Sequence, residues 1–258
     1  MQSQKKRLFQ VEGLAKSFAE KQVLREVTFE VQHGCSTVLI GPSSSGKTVL
    51  FKCLLGLLRP DAGRLAIEGR EQADLSSQER EALLARLGVA FQQNALFDSM
   101  TCWENVAFRL LQQGQCSRKE ARARAIDLIA SLGLRPQVAD RYPAEISGGM
   151  QKRIALARAF MSDPDVLMLD APTDGLDPIM TRHANKLIRS ATERGKTVFM
   201  ITSNMRAAQE FSDHLLMLHE GVIVWAGTTE EARHAEEPRL RQLLEGRSDG
   251  PIRMAVRA

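Results

Sequence analysis

Long hydrophobic runs are missing from this chain of 258 residues. No apolar stretch approaches the roughly 18 residues that a helix needs to span a bilayer. The first residues, MQSQKKRLFQ, also lack the apolar core of a secretory signal peptide. We therefore expect a chain that stays on the cytosolic side of the membrane.

Cysteine is also scarce, and strong charge of one sign is absent. The four cysteines, Cys35, Cys53, Cys102 and Cys116, show no close-paired spacing, so buried thiols are favoured over a disulfide framework or a metal site. The net charge is only +4, and basic residues form only short runs such as the one at residues 5–7. This balance of charge does not favour binding to nucleic acid, although it is compatible with a surface that faces anionic lipid.

The patterns that are present predict one α/β domain over residues 1–258, without internal repeats. Strands that alternate with helices predict a mostly parallel sheet with right-handed crossovers. Short β-like runs near the N-terminus predict an additional small antiparallel β layer. A capping box at residues 76–79 predicts a helix that includes Leu87 and ends at Gly88.

The domain is expected to have three parts. Residues 1–93 and 158–227 form the core with its β layer, and residues 94–157 form an α-helical insertion. Residues 228–258 form a tail with a weak helical stripe, and residues 248–258 are expected to lack fixed structure.

The sequence GPSSSGKT at residues 41–48 follows an apolar run, TVLI, and precedes a helical pattern. A glycine-rich loop between a strand and a helix is typical of phosphate binding, because its N–H groups and the helix dipole face the anion. Lys47 would meet the β and γ phosphates, and Thr48 would offer its hydroxyl to Mg²⁺. A serine-rich turn is the alternative. The residues expected around the phosphates are Gly41, Pro42, Ser43, Ser44, Ser45, Gly46, Lys47 and Thr48.

Asp170 ends an apolar run, VLMLD, that is typical of a buried parallel strand. At the edge of the sheet its carboxylate could hold Mg²⁺ through water and so complement Thr48. Farther along, Asp177 and Pro178 have the residue types of a helix N-cap and first turn.

Ser147 is predicted to cap a helix that begins with Gly148 and Gly149. Two glycines at a helix start are unfavourable for stability. They are understandable if a phosphate must approach the backbone there. Phe18, between two β-like runs, is either a core residue or a ring that stacks on a purine base.

Five motifs in this order resemble the ATP-binding cassette (ABC) ATPases. They are GPSSSGKT, the glutamine of Phe91-Gln92, ISGGMQKR at residues 146–153, VLMLD at residues 166–170, and GLD at residues 175–177. The resemblance covers nearly the whole chain and implies a P-loop NTPase fold with a RecA-like sheet. It also implies that two cassettes pair head to tail around ATP and Mg²⁺ and drive a membrane permease from the cytoplasmic face of the inner membrane.

The resemblance further implies roles for individual residues. Phe18 would stack on adenine, and Gln92 would sense Mg²⁺ and the attacking water. The signature residues would contact the ATP of the partner cassette, and Asp177 would cross the dimer interface. The signature residues in question are Ser147, Gly148 and Gly149.

Two positions depart from the family pattern. Ala171 stands where the family carries a glutamate that polarises the attacking water, and a methyl group cannot accept a proton. Ser203 stands where the family places a histidine at the γ-phosphate. Loss of a general base typically lowers the rate about 10²- to 10⁴-fold. Asp174 is the nearest spare carboxylate, but a turn residue before glycine is the favoured interpretation.

Three interpretations therefore stay open. The chain is an energy-coupling ATPase, or a nucleotide-gated structural subunit that binds ATP and scarcely turns over, or a chain in which Ala171 was introduced to trap the ATP-bound state. Roles with nucleic acid are disfavoured, because large coiled-coil or zinc insertions and a second cassette are absent from the sequence.

Within the family, two segments of the sequence resemble cassettes of the maintenance-of-lipid-asymmetry type. They are FQQNALFDSMTCWENVAF at residues 91–108 and SGGMQKRIALARA. These cassettes serve MCE-domain lipid transport systems of bacterial envelopes. An MCE-domain lipid-binding protein is accordingly an expected partner, and phospholipid the expected cargo. Importers of betaine or amino acids also use a methionine-containing signature and remain the alternative.

Overall fold

The computed structural model describes residues 6–253, in which helices and strands alternate as expected. The ten strands of this part of the chain are β1 (Arg7–Phe18), β2 (Lys21–Gln32), β3 (Ser36–Ile40), β4 (Ala62–Ile67), β5 (Arg70–Glu71), β6 (Leu87–Ala90), β7 (Val166–Asp170), β8 (Thr197–Ile201), β9 (His214–His219) and β10 (Val222–Thr228). The nine α-helices described are α1 (Lys47–Leu54), α2 (Ser77–Ala85), α3 (Cys102–Gln112), α4 (Arg118–Ser131), α5 (Gly148–Phe160), α6 (Pro178–Glu193), α7 (Met205–Phe211), α8 (Thr229–His234) and α9 (Pro238–Glu245).

The described part of the chain divides into two compact units, of which the first combines residues 6–78 with residues 201–253. An antiparallel sheet in the order β2-β1-β4-β5 forms one layer of this unit. A second group of strands runs in the order β10-β9-β3, in which β3 pairs parallel with β9. Every residue of β3 is buried, as expected for a strand covered on both faces.

The second unit, residues 79–200, contains strands in the order β8-β7-β6, with β6 and β7 parallel. Both β7 and β8 are buried along their whole length. Helices α3, α4 and α5 occupy residues 102–160 of this unit, and α3 packs against both others. The α/β fold with an antiparallel layer and helices is the expected one.

One local prediction was wrong. Leu87 and Gly88 lie in β6 and not at the end of a helix, because α2 ends at Ala85. Residues 248–253 of the tail form neither helix nor strand. One of them, Ile252, is bound by a reciprocal pair of bonds: its N–H donates to Gln242 Oε1 at 2.8 Å, and Gln242 Nε2 donates to Ile252 O at 3.1 Å. The rest of the tail prediction, residues 254–258, lies outside the described residues.

Three of the four cysteines, Cys35, Cys53 and Cys102, are buried, as predicted. Burial raises the pKa of both the Cys53 and the Cys102 thiol to about 11. Within residues 6–253, no helix combines the length and apolar character that crossing a bilayer requires.

Candidate functional site

The predicted phosphate loop, residues 41–48, lies between β3 and α1 in the first unit. Three of its residues, Gly41, Ser44 and Gly46, have positive φ angles of 154°, 64° and 105°. A Cβ on Gly41 would lie 2.1 Å from Leu218 O, so this position accepts only glycine without a shift of β9. The loop therefore has the tight, glycine-dependent backbone that the sequence predicted.

The N-terminus of α1 carries no side-chain cap, and its first turn contains no acidic residue. Helices α4, α5 and α6, in contrast, each have a capping side chain at the residue before their first turn. Because the first N–H groups of a helix need acceptors, an uncapped N-terminus beside a glycine loop fits a phosphate group. Thr48 lies in this first turn and could hold a Mg²⁺ that is bound to phosphate.

Lys47 folds back over the loop. Its ammonium donates to Gly41 O at 2.9 Å and to Pro42 O at 2.7 Å. Both acceptors are main-chain oxygens of the same loop. The ammonium is therefore held against the backbone of the loop, and a bound phosphate would offer it stronger, charged acceptors.

Phe18 is the last residue of β1, and 45% of its surface is exposed. Its hairpin is linked to the phosphate loop through β2. Leu24 pairs with Lys16 of β1, and its Cδ2 atom would lie 2.9 Å from a Cβ built on Gly46. Strand β2 thus contacts both the end of β1 that carries Phe18 and the phosphate loop. Ser203, exposed after β8, belongs to the same unit.

The other predicted site residues belong to the second unit. Gln92 is exposed beyond the end of β6. The turn that follows is tight, because Asn94 and Ala95 have φ angles of 62° and 49°. Arg158 of α5 donates to the main-chain oxygens of both residues at 2.8 Å. Burial lowers the pKa of this guanidinium. Arg158 therefore links the turn after Gln92 to α5, the helix that contains the ISGGMQKR motif.

Asp170 ends β7 and is only 2% exposed, as predicted for the edge of a buried strand. Ala171 follows with a φ of 51° and begins a turn in which Asp174 N donates to Ala171 O at 3.3 Å. Asp177 caps α6 as predicted, since its Oδ1 atom accepts from the N–H groups of Ile179 and Met180 at 2.9 Å each.

Ser147 caps α5, as predicted, and its hydroxyl accepts from Met150 N at 3.3 Å. Gly148 and Gly149 occupy the first turn. A Cβ on Gly148 would meet nothing within 4 Å, and one on Gly149 would only touch Leu176 at 3.6 Å. The fold of this chain does not itself require glycine at either position.

Lys152 of the same helix is a residue that sequence reasoning missed. Its ammonium donates to Ala171 O at 3.2 Å and to Asp174 O at 2.6 Å. The signature helix and the turn after Asp170 are therefore joined through one side chain. Its acceptors are main-chain oxygens, which give no signal in the sequence.

Among the described residues, no cluster of three or more histidine, cysteine, aspartate or glutamate side chains forms a metal cage. Mg²⁺ in nucleotide sites keeps water and phosphate oxygens and uses only one or two protein ligands. Thr48, Gln92 and Asp170, the ligands expected from the sequence, each carry a side-chain oxygen, which is the donor type that Mg²⁺ prefers.

The fold and the loop define the class of this protein: it is an α/β P-loop protein that binds nucleoside triphosphates. The family model described as ABC transporter matches residues 24–174. The chain belongs to the ABC transporter family, as one of its ATP-binding subunits. Cassettes of this family bind ATP, hydrolyse it, dimerise and pair with membrane permeases.

Relatives align along nearly the whole chain. It is 39% identical to the chloroplastic protein TRIGALACTOSYLDIACYLGLYCEROL 3 of Arabidopsis thaliana, over 95% of this chain and 76% of that protein. It is 37% identical to the probable ribonucleotide transport ATP-binding protein mkl of Mycobacterium bovis, over 95% and 68% of the two chains. A solved ATP-binding cassette, a dimer in a post-hydrolysis state with ADP and Pi, has a TM-score of 0.79 and 28% identity over 86% of this chain and 99% of that one.

Proposed function

We propose that this chain is the ATP-binding subunit of a lipid transporter and that it dimerises head to tail around two Mg-ATP. The observation that carries the proposal is the pair of signature glycines, Gly148 and Gly149. A Cβ on Gly148 would meet no atom of the chain within 4 Å, and one on Gly149 would make only an ordinary contact with Leu176. Glycine at a helix start lowers stability without benefit to the fold, so a group from outside the chain is the reason for it. The γ-phosphate held by a partner cassette is such a group.

The proposal assigns the nucleotide contacts as follows. Residues 41–48 and Lys47 hold the phosphates, and Phe18 stacks on the adenine. Thr48 and Asp170 hold Mg²⁺, with Gln92 beside the metal and the attacking water. Ser147, Gly148 and Gly149, within the helical subdomain at residues 94–157, contact the partner's ATP, and Asp177 lies at the dimer interface.

Lipid as the cargo rests on two observations of similarity. Residues 91–108 resemble the corresponding segment of maintenance-of-lipid-asymmetry cassettes, and this segment is where a cassette contacts its permease. One relative is named after a galactolipid, whereas another is named for ribonucleotide transport. We favour lipid, with a permease and an MCE-domain protein as partners and the cytoplasmic face of the inner membrane as the location.

A specific observation favours a second function, that of a nucleotide-gated subunit with little turnover. Ala171 provides no general base after Asp170, and Ser203 provides no imidazole. ATP binding and dimerisation do not need either group, because both depend on the loop and the signature turn. In this function, binding of ATP itself would gate the permease.

One set of experiments separates the two functions. Steady-state ATPase activity is measured for the unchanged chain with its co-purified permease, for Ala171→Glu, and for Ala171→Glu combined with Ser203→His. The gating function predicts low activity that rises about 10²-fold or more in the double variant. Robust activity with Ala171 in place would overturn it. Lys47→Ala should abolish ATP binding, whereas Lys52→Ala, on the exposed face of α1, should not.

The cargo is tested separately. Purification of the chain with its permease from native membranes, followed by ATP-dependent transfer of labelled phospholipid between vesicles, should give transfer that Lys47→Ala abolishes. Co-purification with a betaine or amino-acid permease and absence of lipid transfer would overturn the lipid assignment.

A further inference from the structure

Asp61, the residue before β4, binds the end of β1 with both carboxylate oxygens and its main-chain N–H. Its Oδ1 atom accepts from Lys16 Nζ at 2.6 Å, and its Oδ2 atom accepts from Ser17 N at 2.7 Å. Its own N–H donates to Ala15 O at 2.9 Å. Three consecutive residues that lead to Phe18 are thereby held by one side chain and its backbone.

This contact is made where the pairing of β1 with β2 is irregular. The register between β1 and β2 shifts between Lys16 and Ser17, so the ladder is irregular just before Phe18. Irregularities of this kind change the direction in which a side chain points. On the other side of Phe18, a two-residue turn with Ala19 at a φ of 49° leads into β2. Asp61 thus holds the irregular backbone directly before Phe18.

Lys16 adds a contact to the ring itself. Its ammonium lies 5.6 Å from the centroid of the Phe18 ring, within the range of a cation–π interaction. The Lys16 side chain is only 16% exposed, although Phe18 is 45% exposed. The ion pair with Asp61 holds the ammonium in place. The hydrogen bond from Lys16, followed by that from Ser17 N, keeps the pKa of Asp61 below its ordinary range, so the carboxylate is ionised at neutral pH.

We propose that Asp61 and Lys16 are positioning residues for the nucleotide base, which fix the Phe18 ring with the ammonium on one face and the other face open to the purine. The inference rests on the proposed function, in which Phe18 stacks on adenine. Neither residue belongs to the phosphate loop at residues 41–48, so in this proposal they act on recognition of the base alone. The ligand portion concerned is a planar purine ring.

The test compares a ligand that has a base with one that lacks it. Mg-ATP and Mg-tripolyphosphate are titrated against the full chain and against Asp61→Asn, Lys16→Met and Phe18→Ala. Stacking of a base on an aromatic ring contributes about 1–3 kcal/mol. We expect Phe18→Ala to weaken ATP binding about 5- to 150-fold, and Asp61→Asn about 3- to 10-fold. Tripolyphosphate affinity should not change in any of them.

Glu30→Gln is the matched control, because Glu30 is an exposed carboxylate of the same sheet paired with Arg7 at 2.8 Å. It should leave both affinities unchanged. In Phe18→Ala combined with Asp61→Asn, the losses should not add, because Asp61 acts through the ring. A merely structural role would give additive losses and would weaken both ligands. Asp61→Glu should restore part of the ATP affinity.

The outcomes are distinguishable from failure of the proposed function. If the unchanged chain binds neither ligand, the proposed function is overturned and this inference with it. If it binds both, and Asp61→Asn weakens both equally or leaves ATP affinity intact, this inference alone is overturned. Loss of ATP affinity with retained tripolyphosphate affinity supports it.

Discussion

The ammonium of Lys152 donates a hydrogen bond of 2.6 Å to the main-chain oxygen of Asp174. A second bond, of 3.2 Å, goes to Ala171 O. Lys152 belongs to the helix that begins with the signature glycines, and Ala171 follows the carboxylate proposed to hold Mg²⁺. A charge-assisted pair of bonds therefore makes the position of this turn depend on the position of the helix.

Removal of the Lys152 ammonium should loosen this turn. Hydrogen bonds to charged groups contribute about 1.5–3 kcal/mol, and about 1.4 kcal/mol corresponds to a tenfold change. In Lys152→Met, we expect amides of residues 171–177 to exchange with deuterium about tenfold faster or more, measured by mass spectrometry on peptides. Lys119→Met, at an exposed position of α4, is the control. Unchanged exchange at residues 171–177 would contradict this role of Lys152.

Gly148→Ala should separate folding from assembly. The added Cβ meets no atom within 4 Å, and alanine stabilises a helix relative to glycine by up to about 0.5–1 kcal/mol. The melting temperature should therefore stay or rise, while ATP-dependent dimerisation, measured by light scattering, should be lost. In Gly41→Ala the melting temperature should fall, because the added Cβ would lie 2.1 Å from Leu218 O. A Gly148→Ala chain that still dimerises with ATP would argue against the proposed contact.

Acid should destabilise the helical part of the second unit through Glu104. This carboxylate accepts from Thr101 N at 2.9 Å and from Thr101 Oγ1 at 2.7 Å, and it pairs with Arg118. These contacts, the Thr101 N–H foremost, hold the pKa of Glu104 below its ordinary value of 4.5. Its contribution to stability is therefore complete above pH 4.5 and is lost as the pH falls through the folded-state pKa.

The measurement for Glu104 is urea unfolding at neutral pH and near pH 3.5. Glu104→Gln should lower the free energy of unfolding by up to about 1 kcal/mol at neutral pH, because glutamine keeps an acceptor for the Thr101 N–H but loses the charge that pairs with Arg118. The difference from the unchanged chain should shrink in acid. Glu81→Gln, on the exposed face of α2, should show neither effect. An equal difference at both pH values would contradict the assignment.

Features that depend on neighbouring residues could be predicted from the sequence, whereas features that depend on tertiary contacts could not. Ser147 and Asp177 were predicted as helix caps because a cap needs only its own following N–H groups. Gly88 was assigned to a helix end, yet it lies in β6, where a Cβ would be 2.0 Å from Ala159 O. The close approach of α5 that requires this glycine comes from a distant part of the sequence.

The same distinction applies to the site. The loop at residues 41–48 and Asp170 could be found from the sequence, because strand, glycine and carboxylate types occur in a fixed order. Lys152 and Arg158 could not, because each binds main-chain oxygens that every residue possesses. The Gln242 to Ile252 contact in the tail was missed for the related reason that a glutamine amide matches any backbone segment.

Ala171→Gly should be nearly neutral for stability, although it removes a buried methyl group. Ala171 is 4% exposed and has a φ of 51°, a left-handed conformation that costs a non-glycine residue about 1–2 kcal/mol. Relief of this strain should offset the lost methyl burial, about 0.8 kcal/mol, and the greater freedom of glycine in the unfolded chain, about 0.4–1 kcal/mol. Ala159→Gly, equally buried but inside α5, has no strain to relieve and should lose about 2 kcal/mol.

The difference between these two alanine variants, measured by urea unfolding, reports the strain at the position where the family carries its glutamate. If Ala171→Gly loses as much stability as Ala159→Gly, the left-handed turn is not strained. If it is neutral, this backbone is held in place by its surroundings, including the Lys152 bond to Ala171 O. A glutamate introduced by Ala171→Glu would then meet a turn already fixed next to Asp170, so any rise in turnover in that variant would come from its carboxylate.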